Sequence, residues 1–186
     1  MRVVAGAHKG RQLKAVPGKT ARPTTDKVKE AIFQILGPYF QNGVCLDLFA
    51  GSGALGIEAL SRGMEKGIFV DKHPKAIHTI HENIRLLHLE DNVEIFRTEA
   101  FRAMNASVKR GLRFDLILLD PPYYKINYMK LLNEVVKLDL LQTNGLIFCE
   151  HDADEHLTMA DNRYDILKTG VYGETTGITI YKKKQE

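Results

Sequence analysis

From residue 43 onward, short apolar runs alternate with stretches whose apolar residues recur every three or four positions. Val44-Cys45-Leu46-Asp47-Leu48-Phe49 reads as a strand, and the positions from Ala54 to Ser61 as a helix ending near Gly63. Gly67-Ile68-Phe69-Val70 is a second strand. A helix follows from Pro74, with Ile77, Ile80, Ile84 and Leu87 on one face. Val93-Glu94-Ile95-Phe96 is a third strand, followed by a helix near 100–109. The almost unbroken apolar run 114–119 has the character of a strand buried on both faces in a parallel sheet. A helix near 127–137 and the strand Leu146-Ile147-Phe148-Cys149 come next. Two β-rich runs, 164–172 and 175–182, flank Gly173 and read as a closing antiparallel hairpin. Repeated strand–helix units predict an open α/β sheet with helices on both faces. Ligands bind such sheets at the carboxyl ends of the strands.

The first forty residues differ. Arg2-Val3-Val4-Ala5 and Gln12-Leu13-Lys14-Ala15 are two short strand-like runs around Gly6 and Gly10, expected to form a small hairpin. Pro17-Gly18 and Arg22-Pro23 punctuate a loop. Thr24-Thr25-Asp26 can cap a helix whose apolar face is Val28, Ile32, Ile35 and Leu36, with Gly37-Pro38 as its stop. These readings divide the chain into a basic appendage, residues 1–22, and an α/β domain, residues 23–186.

Charge sharpens that division. The 186 residues carry 26 Lys and Arg against 23 Asp and Glu, a net of +3. Eight of the basic residues and two of the acids fall within residues 1–30, giving that segment +6; the remaining 18 and 21 give −3. A basic arm on a mildly acidic body suggests a polyanionic partner and a separate chemical site. Lys9, Arg11, Lys14 and Arg22, with Lys19, are the candidates for tracking nucleic-acid phosphates. No base-stacking aromatics are interleaved among them, so the arm is expected to position rather than specify.

Two loops carry candidate chemistry. Gly51-x-Gly53-x-x-Gly56 lies between the first strand and the next helix, and Asp71 ends the second strand twenty positions after Gly51. This is the dinucleotide-type fingerprint, in which the acid takes ribose hydroxyls. A nicotinamide or flavin enzyme would place a pyrophosphate there. Asp47 at the end of the first strand would repel a pyrophosphate and attract an ammonium, which favours S-adenosylmethionine. The second loop, Asp120-Pro121-Pro122-Tyr123, follows the fourth strand directly. Its prolines fix φ and donate no hydrogen bonds. Asp120 and the Pro121 carbonyl offer two acceptors, and Tyr123 an aromatic face. The set suits an exocyclic amine on a flat ring, held in line for methyl transfer.

With these segments in register, the chain resembles the bacterial RsmD family. The matching stretches are Arg2-Val3-Val4-Ala5-Gly6 with Gly10-Arg11, Arg22-Pro23-Thr24-Thr25-Asp26-Lys27-Val28, residues 47–62, Asp120-Pro121-Pro122-Tyr123, and Tyr172-Gly173. The resemblance implies a Rossmann-like methyltransferase with a mostly parallel seven-stranded sheet. It implies methyl transfer from S-adenosylmethionine to the exocyclic N2 of a guanine in 16S ribosomal RNA, free or in a small-subunit particle. Asp47, Phe49, Gly51 and Gly53 would form the cofactor loop, with Asp71 on the ribose. Glu99 and Ala100 would hold the adenine, and Thr24 and Thr25 would lie near the methionyl end. Asp120, which also borders the cofactor, would act with Pro121 and Tyr123 on the amine. The Asp-Pro-Pro-Tyr run is shared with DNA adenine methyltransferases. A DNA or protein-amide methylase, a nicotinamide oxidoreductase and a non-catalytic RNA binder are therefore the alternatives.

Other features are read as structural. His78 and His81 suit a solvated helix face, and His151-Asp152-Ala153-Asp154-Glu155-His156 a polar loop; no metal is expected. Cys45 and Cys149 sit in apolar runs and read as reduced core thiols. No apolar run approaches the roughly 18 residues that cross a bilayer, and the start lacks a signal-like stretch. A cytoplasmic monomer is expected.

Overall fold

The computed structural model describes residues 1–18, 25–122 and 125–185. Among them are five α-helices and seven strands, in the order α1 (Asp26–Leu36), β1 (Val44–Asp47), α2 (Ala54–Ser61), β2 (Lys66–Asp71), α3 (Pro74–Leu86), β3 (Val93–Arg97), α4 (Ala100–Lys109), β4 (Phe114–Leu119), α5 (Tyr128–Lys137), β5 (Leu141–Asp152), β6 (Tyr164–Tyr172) and β7 (Thr176–Lys183). One sheet orders them β3-β2-β1-β4-β5-β7-β6. The β1–β5 pairings are parallel, and β7 runs antiparallel to both β5 and β6. This is the Rossmann-like α/β architecture with its C-terminal hairpin.

Alternation along the strands feeds two cores. Cys45, Phe69, Leu116, Leu118 and Phe148 face a layer built by α1, α2 and α3. Leu46, Ile68, Val70, Ile117, Leu119 and Cys149 face the layer of α4 and α5. The period-2 pattern therefore places successive residues of β4 on opposite faces, which explains why its sequence has no polar face. Each fully buried Leu or Ile contributes about 1.5–3 kcal/mol through loss of apolar surface to water.

Several elements depart from the pattern in the sequence. The buried face of α1 comprises Lys29, Ile32, Phe33 and Leu36, so Lys29 and Phe33 stand where Val28 and Ile35 were expected. Strand β5 starts at Leu141, five residues early, because Leu141 pairs with Phe114 across a register shift. His151 is a correction. It is not in a polar loop but near the end of β5, 4% exposed, with Nε2 2.9 Å from Thr179 Oγ1.

The N-terminal hairpin is short. Arg2 and Gln12 form one antiparallel bridge, extended by Val3 N–H to Arg11 O and Leu13 N–H to Met1 O. Val3 and Leu13 are buried in the core under α1–α3. The rest of its attachment is polar. Glu58 on α2, fully buried, accepts from the Val4 and Ala5 N–H groups at 2.9 and 3.0 Å. The same carboxylate meets Arg62 Nε at 2.9 Å and Lys29 Nζ at 3.3 Å, and Arg62 Nη2 also meets Glu30 at 3.1 Å, so the two buried cations face two carboxylates. Lys29 also donates to Arg2 O.

Candidate functional site at the carboxyl edge of the sheet

The site is a staircase of acids at neighbouring strand ends. Asp47 closes β1, where its Cα pairs with Phe69 of β2 and Leu118 of β4. Asp71 and Asp120 therefore lie two residues beyond Asp47 on the two flanking strands. Asp71 pairs with Arg97 of β3, and Glu99 stands two residues beyond that. Strand order changes direction at β1 and β4, the switch point where open α/β sheets open a crevice. The expected residues from the glycine loop and from the Asp-Pro-Pro loop thus meet at one edge.

Asp47 is 2% exposed. Its Oδ2 accepts from Gly56 N–H at 3.2 Å, and its Oδ1 has no hydrogen-bond partner among the described residues. Burial pushes the carboxyl up to about 7; the Gly56 N–H opposes this, the nearby Asp71 charge adds to it, and the Phe49 N–H opposes it more weakly. A buried acceptor with nothing to accept is costly unless a ligand completes it. An ammonium would do so and would restore the charged form.

The loop between β1 and α2 shows why glycines stand in it. Gly51 and Gly53 have φ of 57° and 83°, the left-handed region. Gly53 precedes the first residue of α2, so the helix N-terminus points bare backbone at the crevice. A Cβ on Gly56 would collide with the Phe69 ring and sit 3.2 Å from Asp47 Oδ2. That glycine serves close helix–strand contact. Phe49 is half-buried against the α4–α5 core.

Asp71, 6% exposed, braces this loop: its Oδ2 accepts from Gly51 N–H and its Oδ1 from His73 N–H, both at 2.9 Å. Each oxygen keeps a lone pair for a further donor such as a hydroxyl. Ala100 is buried as the first residue of α4, while the Glu99 side chain is exposed and lies 3.7 Å from Lys72 Nζ. Thr25 Oγ1 caps α1, accepting from Val28 N–H at 3.3 Å. Asp120 is half-buried and Pro121 buried. The Tyr128 hydroxyl, at the start of α5, donates to Leu119 O at 2.8 Å and so holds the peptide preceding Asp120. Thr24, Arg22, Lys19 and Tyr123 lie outside the described residues.

Of the basic candidates, Lys9 is exposed. Arg11 Nη2 donates to Leu86 O at 2.6 Å, at the carboxyl end of α3, where the helix dipole favours a cation. Lys14 Nζ meets Glu82 of α3 at 2.7 Å. Residues 11–14 thus lie along α3, with both cations still largely exposed. Sequence reasoning missed Glu58, Asn83 and Tyr128, three buried polar residues that support the loops. The Glu58–Arg62 spacing of four was the one visible signal. Among the described residues no cluster of His, Cys, Asp and Glu could hold a metal ion. No helix among them is long and apolar enough to cross a membrane.

Comparison with known proteins finds relatives that cover nearly the whole chain. Residues 1–182 match the family described as Conserved hypothetical protein 95. The chain is 48% identical over 184 residues to YlbH of Bacillus subtilis, described as "Putative rRNA methyltransferase YlbH", covering 99% of this chain and 100% of that one. It is 32% identical over 186 residues to the ribosomal RNA small subunit methyltransferase D of Haemophilus influenzae, covering 100% and 93%. Among solved structures, the Escherichia coli methyltransferase-type protein yhhF superposes with a TM-score of 0.84 at 27% identity, covering 100% of this chain and 99% of that chain. The chain therefore belongs to the Conserved hypothetical protein 95 family, the RsmD family.

Proposed function

We propose that the protein methylates ribosomal RNA, transferring the methyl group of S-adenosylmethionine to the exocyclic N2 amine of a guanine in 16S RNA, free or within a small-subunit particle. The observation that carries this reading is the buried Oδ1 of Asp47, without a hydrogen-bond partner among the described residues, one strand away from the Asp120-Pro121 loop. In this reading an anionic receptor for an amino-acid ammonium stands beside a pair of acceptors for a base amine. Relatives named ribosomal RNA small subunit methyltransferase D support the RNA class of substrate.

The sulfonium of the bound cofactor supplies an activated methyl group and its own leaving group. The chain binds and orients. Asp47 receives the ammonium, the Gly51–Gly53 backbone lets the ligand approach, and Asp71 accepts from ribose hydroxyls. Ala100 and Glu99 would hold the adenine, and Thr24 and Thr25 would serve the methionyl end. Asp120 and the Pro121 carbonyl accept the two amine hydrogens, which turns the nitrogen lone pair toward the methyl group. Tyr123 stacks on the base. Transfer would exchange the cofactor's S–C bond for an N–C bond on the base, and Asp120 or solvent would take the proton that the amine gives up. Residues 1–22 act as the RNA-contacting appendage through Lys9, Arg11, Lys14 and Arg22, on a catalytic domain of residues 23–186. The protein works as a cytoplasmic monomer without a metal.

The test is methyl transfer onto 16S RNA and small-subunit particles from cells lacking this activity, with the modified base mapped. Asp120→Ala abolishes transfer and keeps affinity for S-adenosylhomocysteine. Methylation at another base or atom, or transfer surviving in Asp120→Ala, refutes the assignment.

A further inference from the structure

Asn83 on α3 is fully buried and joins two parts of the molecule that otherwise have separate roles. Its Oδ1 accepts from the Lys14 N–H at 2.8 Å, and its Nδ2 donates to Lys14 O at 3.0 Å and to Ser52 O at 2.9 Å. Lys14 belongs to the basic arm. Ser52 lies between Gly51 and Gly53 in the glycine loop. Both amide hydrogens are used, and the orientation is unambiguous: a flipped amide would turn its oxygen toward two carbonyls. Ser52 has a second, weaker contact with the arm, through its Oγ at 3.7 Å from Met1 Sδ.

Other attachments of the arm differ in kind. Glu58 and Ser61 hold residues 4–8 against α2, away from the glycines. The Lys14–Glu82 pair is largely exposed and belongs to the side chain alone. Asn83 is placed to fix the main chain of the arm and the main chain of the cofactor loop on one support, the last turn of α3.

We propose that Asn83 is a positioning residue that sets the arm and the glycine loop in fixed register, so that bound RNA and bound cofactor share one geometry. This rests on the function proposed above. Its loss frees both partners at once. A residue that merely stabilised the fold would, when removed, reduce the folded fraction and so the apparent kcat, with both KM values unchanged.

The experiment is steady-state methyl transfer by Asn83→Ala, with undermethylated small ribosomal particles as the RNA probe and S-adenosylmethionine as donor. Should that variant fail to fold, Asn83→Ser takes its place. Loss of one to three buried hydrogen bonds raises both KM values, each on the order of tenfold. Lys14→Ala raises the KM for particles alone, and Asp71→Asn the KM for the cofactor alone. A change confined to kcat or to one KM overturns the proposal. Amide hydrogen exchange of the ligand-free protein separates this outcome from failure of the functional reading. Asn83→Ala accelerates exchange at Gly53, whose N–H is bonded to Ala50 O, as well as at arm amides such as Leu13. Gly53 exchange equal to that of the unsubstituted protein overturns the proposal, whether or not methyl transfer is found.

Discussion

Replacing Asp47 with Asn removes a charge from the middle of the site while keeping the shape and one acceptor for Gly56 N–H. The carboxyl is raised from 3.8 to about 7, chiefly by burial. The folded protein therefore binds this proton more tightly than the unfolded chain, by about three units. At 1.36 kcal/mol per unit the difference is about 4 kcal/mol. The sign follows from proton numbers. Between pH 4 and 7 the folded state holds the proton that the unfolded state has released, so stability falls as pH rises through that window and levels above it. Asp47→Asn loses this limb. Urea unfolding of both proteins from pH 4.5 to 8.5 isolates the residue in the difference of the two profiles, which grows toward alkaline pH in favour of the variant. Binding a cationic amino acid moiety reverses the preference of the carboxyl. At pH 6, S-adenosylhomocysteine then releases a proton on binding, and its affinity rises with pH up to about 7. Calorimetry in buffers of different ionisation enthalpy reads that proton directly. Parallel stability profiles, or no difference in proton release between the two proteins at pH 6, would refute the reasoning.

Three further outcomes follow from the supports of the site. Glu58→Ala leaves Lys29 with a backbone carbonyl as its remaining described partner and removes the acceptor for Val4 and Ala5 N–H. Breaking one side of a buried ion network costs about 3–5 kcal/mol, a fall in Tm on the order of 10 °C for a chain of this size, read by thermal melts. Combining it with Lys29→Met restores part of the loss. Tyr128→Phe removes the donor to Leu119 O, costs about 1 kcal/mol in urea, and lowers kcat for methyl transfer with S-adenosylhomocysteine affinity unchanged. Gly56→Ala drives a methyl group into Phe69 and pushes α2 away from β1, so it weakens cofactor affinity and stability together, checked by calorimetry and melting.

The strands and the loops between them were legible because their signals are local. An apolar run of six residues such as 114–119 has few other uses, and a glycine with φ near 60–80° at positions 51 and 53 is demanded by the turn itself. Asp71 was legible by spacing, yet its bracing of Gly51 N–H was not, since a hydrogen bond across twenty residues leaves no pattern. Lys29 reads as a surface residue of α1 until Glu58, 29 positions away, neutralises it. His151 was obscured by the acids that follow it, although its own position continues the alternation of β5. Polar residues inside a protein are specified by partners distant in sequence, and hydropathy along the chain carries no record of those partners.

The seating of the N-terminal segment has a consequence for how its surface can vary. Glu58, Ser61, Lys29 and Asn83 hold it by peptide groups, those of Arg2, Val4, Ala5, Ala7, His8 and Lys14, while its outward-facing Arg2, Arg11 and Lys14 side chains add exposed contacts to Asp26, Leu86 O and Glu82. Any residue supplies a peptide group. Identity is demanded mainly at Val3 and Leu13, which enter the core, and at Gly6, where a Cβ would collide with the Ser61 carbonyl. The exposed positions between them are thus only weakly coupled to foldability, because exposed pairs contribute little, and their charge can be retuned over evolution to a changed partner without unseating the segment.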